Sequence, residues 1–474
     1  MNKEKGVVAF LTLGCKVNTY ETNAMQLLFT ESGYEITDFS KKADIYVVNT
    51  CSVTNMADRK SRQMLHKARK NNPEAVIVAA GCYVQAAKDL LEQDSSIDVV
   101  VGNSQKHLIV ELVEKYREDH SMRGSVIDIS KDAIYEDLHI VDAGERTRAF
   151  LKIQDGCNQF CSYCIIPYAR GRVRSRDEED ILEEIRGLVK RGYKEFVLNG
   201  IHLSSYGVDE QNKDFMRLKG KPLLRIIQKI NAIEGVERIR LGSLEPRVIT
   251  EEFTNELATY EKVCPHFHLS LQIGCNETLQ RMNRKYTTAE YKESCDILRK
   301  HYKNPAITTD VIVGFPGETE EEFAKTKEFL ETIAFSQMHI FKFSVRKGTR
   351  AEKMDHQIPE PIKTERSNTL LALNEKLQAE YNAYIESLKQ MTPEQVIENA
   401  YQKVFKEDLI IAFESVNLEP LEAKALYLEK YPLDKLYQDW LDSDASYMDM
   451  LRDCVSDTAK DLAKELKEKK RESR

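Results

Sequence analysis

No stretch of this chain approaches the ~20 consecutive apolar residues that a bilayer-crossing helix requires. Its first residues, Met1–Lys5, lead directly into an apolar, strand-like run, Val7–Leu13. The charged, apolar and small-residue succession of a secretory signal is missing. Both absences set the expectation of a cytoplasmic protein with no membrane partner. Positive charge is scarce as well. The 474 residues carry 69 Lys+Arg against 77 Asp+Glu, a net charge of −8, which taken alone disfavours a nucleic-acid partner. The deficit is uneven, however. Residues 391–474 hold 13 Lys/Arg and 19 Asp/Glu, so an acidic end masks a nearly neutral body that has room for a local basic patch. Disulfides are not expected of ten cysteines in a reducing compartment, and their spacing decides between metal-binding, catalytic and buried roles.

Short apolar runs alternate with helical patterns over residues 1–105. Strands are expected at Val7–Leu13, Ile45–Asn49, Val76–Gly81 and Val99–Gly102, and helices at Tyr20–Ser32 and Ala57–Lys70. This alternation reads as a doubly wound parallel sheet, flavodoxin-like in outline. A polar stretch with a candidate strand at Val126–Ile129 leads into a second α/β series. Its candidate strands are Phe150–Gln154, Lys194–Leu198, Arg238–Leu241, Phe267–Gln272, Ile307–Val313 and Met338–Phe343. Six such units fit a partial, open (β/α)6 barrel. Residues 363–474 read as all-helical. The expected division is 1–140, 146–362 and 363–474.

The sharpest local signal is Cys157-Asn-Gln-Phe-Cys161-Ser-Tyr-Cys164. Zinc sites ordinarily take four ligands; three cysteines in one loop suit a 4Fe–4S cluster with one open iron. The loop follows the first barrel strand, at the C-terminal rim where barrel chemistry is found. Cys15, Cys51 and Cys82 are far apart in sequence, but each lies just past a predicted parallel strand. Loops at that sheet edge converge on one crevice, and a second cluster or three buried structural cysteines both satisfy that topology. Cys264, Cys275, Cys295 and Cys454 match no ligand spacing and read as buried small residues.

These segments resemble the methylthiotransferase family of radical S-adenosylmethionine (SAM) enzymes from residue 6 to about 360. The resemblance is carried by both cysteine sets, Ile153-Gln-Asp-Gly-Cys157, Cys164-Ile-Ile-Pro167, Arg240-Leu-Gly-Ser-Leu-Glu-Pro246, Met282-Asn-Arg-Lys-Tyr286 and Asp310-Val-Ile-Val-Gly-Phe-Pro-Gly317. It implies two 4Fe–4S clusters and SAM as cofactors. Cys157, Cys161 and Cys164 would hold the SAM-cleaving cluster, and Cys15, Cys51 and Cys82 the cluster that carries sulfur. Tyr163, Gly200, Ser243, Glu245, Gln272 and Val313 would contact SAM. It further implies tRNA and a flavodoxin- or ferredoxin-like electron donor as partners. Leu13-Gly-Cys-Lys-Val-Asn-Thr-Tyr-Glu21 and Gly200-Ile-His-Leu-Ser-Ser-Tyr-Gly207 resemble the subgroup acting on N6-threonylcarbamoyladenosine. Other subgroups act on N6-isopentenyladenosine or on a ribosomal-protein aspartate, and a non-catalytic iron–sulfur scaffold or electron carrier is the rival of another class.

Two departures stand out. The fourth-strand segment reads Leu271-Gln-Ile-Gly274, where the family usually has serine in place of Ile273. The family's C-terminal RNA-binding β-barrel is not recognisable in residues 363–474. RNA contact is therefore expected from Arg170, Arg172, Arg174 and Arg176, which share one face if their segment is extended, with the basic helix around Arg59–Lys70 as weaker support.

Overall fold

The computed structural model describes residues 5–120, 124–131, 134–142, 148–209 and 214–371. Residues 372–474, and with them most of the expected helical segment, lie outside the described residues; positions 360–371 are helical. Among the described residues, no helix is long and apolar enough to cross a membrane.

The first sheet contains β1 (Val7–Thr12), β2 (Glu35–Thr37), β3 (Ile45–Thr50), β4 (Val76–Gly81), β5 (Val99–Val101) and β6 (Gly124–Ser125). Its order is β2-β1-β3-β4-β5-β6, with every neighbouring pair parallel. The first five strands have the flavodoxin-like order, in which the direction of winding reverses between β1 and β3. β3 and β4 are buried along their whole length because helices cover both faces, and their unbroken Val/Ile/Ala runs are what such burial selects. The expected strand at Val126–Ile129 does not form. Pairing with β5 falls instead on Gly124–Ser125, where a Cβ on Gly124 would overlap the Val100 carbonyl.

The second body is the open barrel. Its strands are β7 (Arg148–Asp155), the two-residue antiparallel β8 (Arg174–Ser175), β9 (Glu195–Gly200), β10 (Arg238–Leu241), β11 (His266–His268), β12 (Ala306–Val313) and β13 (Gln337–Lys342). One sheet runs β10-β9-β7-β8 and the other β11-β12-β13, with isolated parallel bridges Ile239–Val263 and Leu244–Leu269 linking them. The expected fourth strand, Phe267–Gln272, is thus cut to three residues, followed by a single bridge at Gln272–Val311. Gln272 sits at φ 74°, outside strand geometry. One large core joins the helix-facing sides of these strands, among them Leu151, Ile153, Phe196, Leu198, Ile239, Phe267 and Val311, to the surrounding helices.

A buried ion network fixes the first body on the barrel. Arg170 is fully buried and donates from Nη1 to Glu21 Oε1 at 2.8 Å, and from Nη2 to Glu21 Oε2 at 3.0 Å and Asn18 Oδ1 at 2.6 Å. Lys152 reaches Glu21 at 2.7 Å and Asp155 at 2.6 Å, and Lys106 reaches Glu21 at 3.1 Å. Burial alone would raise the carboxyl pKa of Glu21, but Arg170, Lys106 and Lys152 hold it well below its ordinary value. At the other side, Arg346 joins the segment after β13 to Asp58 at 2.5 Å, Ser52 at 2.9 Å and Asn55 at 2.7 Å. Both ends of the open barrel are therefore tied to the first body.

Removing Glu21 leaves three buried cations without their shared carboxylate, so Glu21→Ala should cost about 3–5 kcal/mol, read as a lower urea midpoint at neutral pH. Because the folded-state pKa is depressed, this contribution is complete above the unfolded carboxyl pKa of about 4.3 and fades as the pH falls below it. The gap between wild type and variant should accordingly narrow on acidification. A gap that does not change with pH would contradict the assignment.

Candidate functional site

Cys15, Cys51 and Cys82 follow β1, β3 and β4 at one sheet edge, and two glycines let their loops meet. A Cβ on Gly14 (φ +100°) would lie 2.8 Å from Cys51 Cβ and 2.9 Å from its Sγ. One on Gly81 (φ +97°) would lie 2.5 Å from Asn49 Oδ1 and 2.7 Å from the Thr50 carbonyl. Asn18 Nδ2 stitches the loops by donating to the Leu13 carbonyl at 2.7 Å and the Thr50 carbonyl at 3.1 Å. Burial raises the Cys15 thiol pKa, opposed by Arg170 and reinforced by Cys82, so the Cys15 and Cys82 sulfurs lie within electrostatic reach of each other. Cys82 Sγ accepts from Arg170 Nε at 3.2 Å and from Asn103 Nδ2 at 3.7 Å.

The second set is shaped by its loop. Cys157 N donates to the Gly171 carbonyl at 3.1 Å and Cys164 N to the Cys161 carbonyl at 3.0 Å. Gly156 (φ +71°) presses against the Arg172 backbone, and Phe160 holds φ 50°, uncommon for an aromatic residue. Asn283 Nδ2 secures the Phe160 carbonyl at 2.9 Å. Burial pushes the Cys157 thiol up to about 12. It pushes Cys164 higher still, with the Cys161 and Cys157 charges adding to the effect. Without a cation these thiols keep their protons, and a bound metal group would displace them. No described cysteine is in a disulfide. Among the described residues no three His, Cys, Asp or Glu side chains close on a point that would hold a single ion. The fit to a larger metal group rests on the three mutually sensing thiols and on the guanidiniums beside them, which suit an anionic thiolate-ligated cluster.

Arg284 is the residue that sequence reasoning missed. It donates to Cys161 Sγ at 3.3 Å, Glu245 Oε2 at 3.1 Å, the Ser270 carbonyl at 3.1 Å and the Tyr286 hydroxyl at 3.0 Å. Glu245 also meets Arg247 at 2.8 Å and His202 at 3.6 Å. Although burial opposes it, the carboxyl pKa is held down to about 2 by Arg284 first, then by His202 and Arg247. Nothing in Met282-Asn-Arg-Lys-Tyr286 distinguished Arg284 from a solvated basic residue.

The remaining expected contacts are placed unevenly. Tyr163 packs edge-on against Phe315, with centroids 6.5 Å apart. Gly200 abuts Gln154, whose Oε1 would lie 2.7 Å from an added Cβ. Ser243 is exposed, and Gln272 is 9% exposed beside the rim. Val313 ends β12 with its side chain fully buried in the core. The arginine row is corrected. Gly171 turns the chain at φ +73° and only Arg174–Ser175 is strand, so the four side chains share no open face. Arg170 joins the Glu21 network, Arg174 donates to the Arg170 carbonyl at 2.9 Å, and Arg176 pairs with Glu184. These three are at most 5% exposed. Arg172 alone is exposed, stacked over Phe160 at 4.4 Å.

Beyond both cysteine sets, the barrel interior holds a polar lining that includes His266, His268, Asp310 and His339. Burial drives the His266 pKa down to about 3 and lowers that of His339. Both rings are therefore neutral at pH 7.

Residues 151–330 match the family model described as Radical SAM superfamily, residues 7–102 that of Uncharacterized protein family UPF0004, and residues 368–463 that of Protein of unknown function (DUF3848). The chain is 42% identical to threonylcarbamoyladenosine tRNA methylthiotransferase MtaB of Bacillus subtilis (strain 168), covering 86% of this chain and 88% of the relative. Identity to the Aquifex aeolicus protein of the same name is also 42%, over 79% and 89%. It is 37%, over 81% of each chain, to the tRNA-2-methylthio-N(6)-dimethylallyladenosine synthase of Thermoanaerobacter sp. (strain X514). Among solved structures, the radical SAM methyltransferase TsrM of Kitasatospora setae superposes with a TM-score of 0.52 at 14% identity, covering 71% of this chain and 72% of that one, a likeness of fold.

Gly156→Ala should displace the Arg172 backbone and distort the Cys157 loop. Reconstituted protein should lose roughly half its iron while the helix signal in circular dichroism persists. Full iron loading of this variant would refute the role given to the turn.

Proposed function

Given that the chain belongs to the radical SAM methylthiotransferase family, we propose that it converts C–H to C–S–CH3 at C2 of N6-threonylcarbamoyladenosine beside the anticodon of tRNA. Its cofactors are SAM and two 4Fe–4S clusters, which when bound supply the one-electron chemistry that activates C2–H and the sulfur and methyl group that replace hydrogen. We assign Cys157, Cys161 and Cys164 to the cluster that binds SAM, and Cys15, Cys51 and Cys82 to the one that carries sulfur. A flavodoxin- or ferredoxin-like donor supplies the electron, and the reaction takes place in the cytoplasm.

One observation carries this reading: the chain leaving Cys164 reaches Arg170, whose Nε donates to Cys82 Sγ at 3.2 Å. The protein thereby holds its two thiol sets at neighbouring loops of two separate sheets. Its own residues do the positioning. Arg284 links Cys161 to Glu245 at the rim, and Glu245, kept ionised, is a fixed acceptor for a hydroxyl or ammonium group of SAM. The choice of nucleoside is supported by the names of the 42%-identical relatives and by the Gly14-Cys-Lys-Val-Asn18 segment.

Expression in a host lacking the modification should yield 2-methylthio-N6-threonylcarbamoyladenosine in tRNA digests read by mass spectrometry. Appearance of the isopentenyl counterpart, or of a methylthio group on a ribosomal protein, would overturn the assignment. Anaerobically reconstituted protein should carry close to eight irons. Replacing Cys15, Cys51 and Cys82 together by Ala should remove half of them and spare some SAM cleavage, whereas replacing Cys157, Cys161 and Cys164 should abolish cleavage. For RNA affinity, Arg172→Ala should flatten the salt dependence by about one unit of slope, the value for one phosphate contact. Arg170→Ala should instead lower stability, because its guanidinium faces no solvent.

A further inference from the structure

The helix at positions 360–371 lies beyond residues 151–330, the part matched by the radical SAM family model, yet two of its side chains reach the rim of the barrel. Lys363 and Arg366 are 7% and 4% exposed, and Leu370, on the same helix face, anchors the helix in the barrel core. Both charged side chains end at the turn that follows β12. Arg366 Nη1 donates to the Glu318 carbonyl at 3.1 Å and lies 3.4 Å from Glu318 Oε1. Its Nη2 pairs with Glu320, which is mostly exposed. Lys363 Nζ donates to the Phe343 carbonyl at 3.0 Å, just past β13. Its stem packs on Gly314, where an added Cβ would lie 2.3 Å from Lys363 Cγ.

What these contacts hold is the turn itself. Glu318 is buried, and its Oε2 accepts from the backbone N–H groups of Gly314 at 2.6 Å and Phe315 at 3.0 Å. Burial pushes this carboxyl up to about 6, opposed first by Arg366. The ionised form, which suits two amide donors, therefore leans on the guanidinium. The two amides set the course of the chain at Phe315. That residue is fully buried, with its ring 6.5 Å from that of Tyr163 and 5.2 Å from that of Phe343. Tyr163 stands between Cys161 and Cys164 in the chain. A continuous path of contacts thus runs from Arg366 through Glu318 and Phe315 to the cysteine loop.

We propose that Arg366 is a positioning residue for SAM: acting through Glu318, it fixes the Gly314–Phe315 turn and with it the Tyr163 wall against which SAM lies. The proposal rests on the reading of SAM at this rim given above. It extends the SAM-binding body past β13 into the helix at 360–371, within which the match to DUF3848 begins, at residue 368. A displacement of about 1 Å at such a wall can cost up to about a hundredfold, and the loss should fall on SAM and not on the RNA.

The test compares the reconstituted full chain with its Arg366→Gln, Arg366→Lys and Glu320→Gln variants. Without SAM, hydrogen–deuterium exchange at the Gly314 and Phe315 amides should be faster in Arg366→Gln, while peptides from β9 keep their wild-type rate. The KM for SAM, read as 5′-deoxyadenosine release, should rise about ten- to a hundredfold in the same variant, with kcat, the KM for tRNA and the iron content little changed. Arg366→Lys returns a cation opposite Glu318 and should recover most of the SAM affinity. Glu320→Gln removes only the solvent-side partner and should match wild type throughout. An unchanged KM for SAM in Arg366→Gln, with only the unfolding midpoint lowered, would overturn the proposal and leave Arg366 a structural residue. An equal rise in Glu320→Gln, or loss of iron in Arg366→Gln, would overturn it as well, since either puts the effect elsewhere. The reading of SAM at this rim fails by a different result, SAM cleavage that survives replacement of Cys157, Cys161 and Cys164. An error in the nucleoside would show as wild type that cleaves SAM and leaves threonylcarbamoyl RNA unmodified, with the Arg366 comparison intact.

Discussion

One guanidinium reaches from the segment after the Cys157–Cys164 loop to the other thiol set. Arg170 lies at the end of the segment leaving the Cys157–Cys164 loop, is fully buried, and spends its donors on Glu21, Asn18, Asp155 and Cys82. Burying a charge this deeply is costly unless every donor is satisfied. The carboxylates of Glu21 and Asp155 meet that condition from the helix Lys16–Glu31 and from the end of β7. The pairing is therefore a statement about geometry more than about stability. A hydrophobic replacement of equal volume could pack as tightly, but it would specify neither the register of the sheet on the barrel nor the orientation of Cys82.

The second consequence is electrostatic. Thiols that share a buried site repel one another once ionised, and the raised values for Cys157 and Cys164 record that repulsion together with desolvation. Each set has a guanidinium aimed at one of its sulfurs, Arg170 at Cys82 and Arg284 at Cys161. The two arginines are equivalent in role and unlike in wiring. Arg170 connects its sulfur to the interface between the two bodies, whereas Arg284 connects its sulfur to Glu245 and the rim.

Much of this was legible in the sequence, for reasons that differ from part to part. The Cys157–Cys164 set was readable because all three cysteines fall within eight residues of chain, after a strand and a glycine turn. The parallel sheet was readable because strands buried on both faces have unbroken apolar runs, as β3 and β4 do. The meeting of Cys15, Cys51 and Cys82 followed from topology alone, since each sits past the end of a parallel strand. The arginine row was not readable. Whether Arg170, Arg174 and Arg176 face water or carboxylate depends on Glu21 and Glu184, and the first of these is 149 residues away in the chain. The same holds for Arg284, whose partners come from three other loops.

The spacing of the clamp residues along the chain bears on how the protein is made. At about 5–20 residues per second, roughly 7–30 s separate the emergence of Glu21 from that of Arg170, and Arg346 comes later still. Throughout that interval the nascent N-terminal sheet must wait with its docking face open. That face is not purely apolar, since Glu21 has Lys106 from its own body at 3.1 Å and Asn18 is tied into the loops after β1 and β3. A half-made chain therefore presents a self-paired charge to the ribosome exit and to its neighbours in place of a bare hydrophobic patch, and chaperones have correspondingly less to shield.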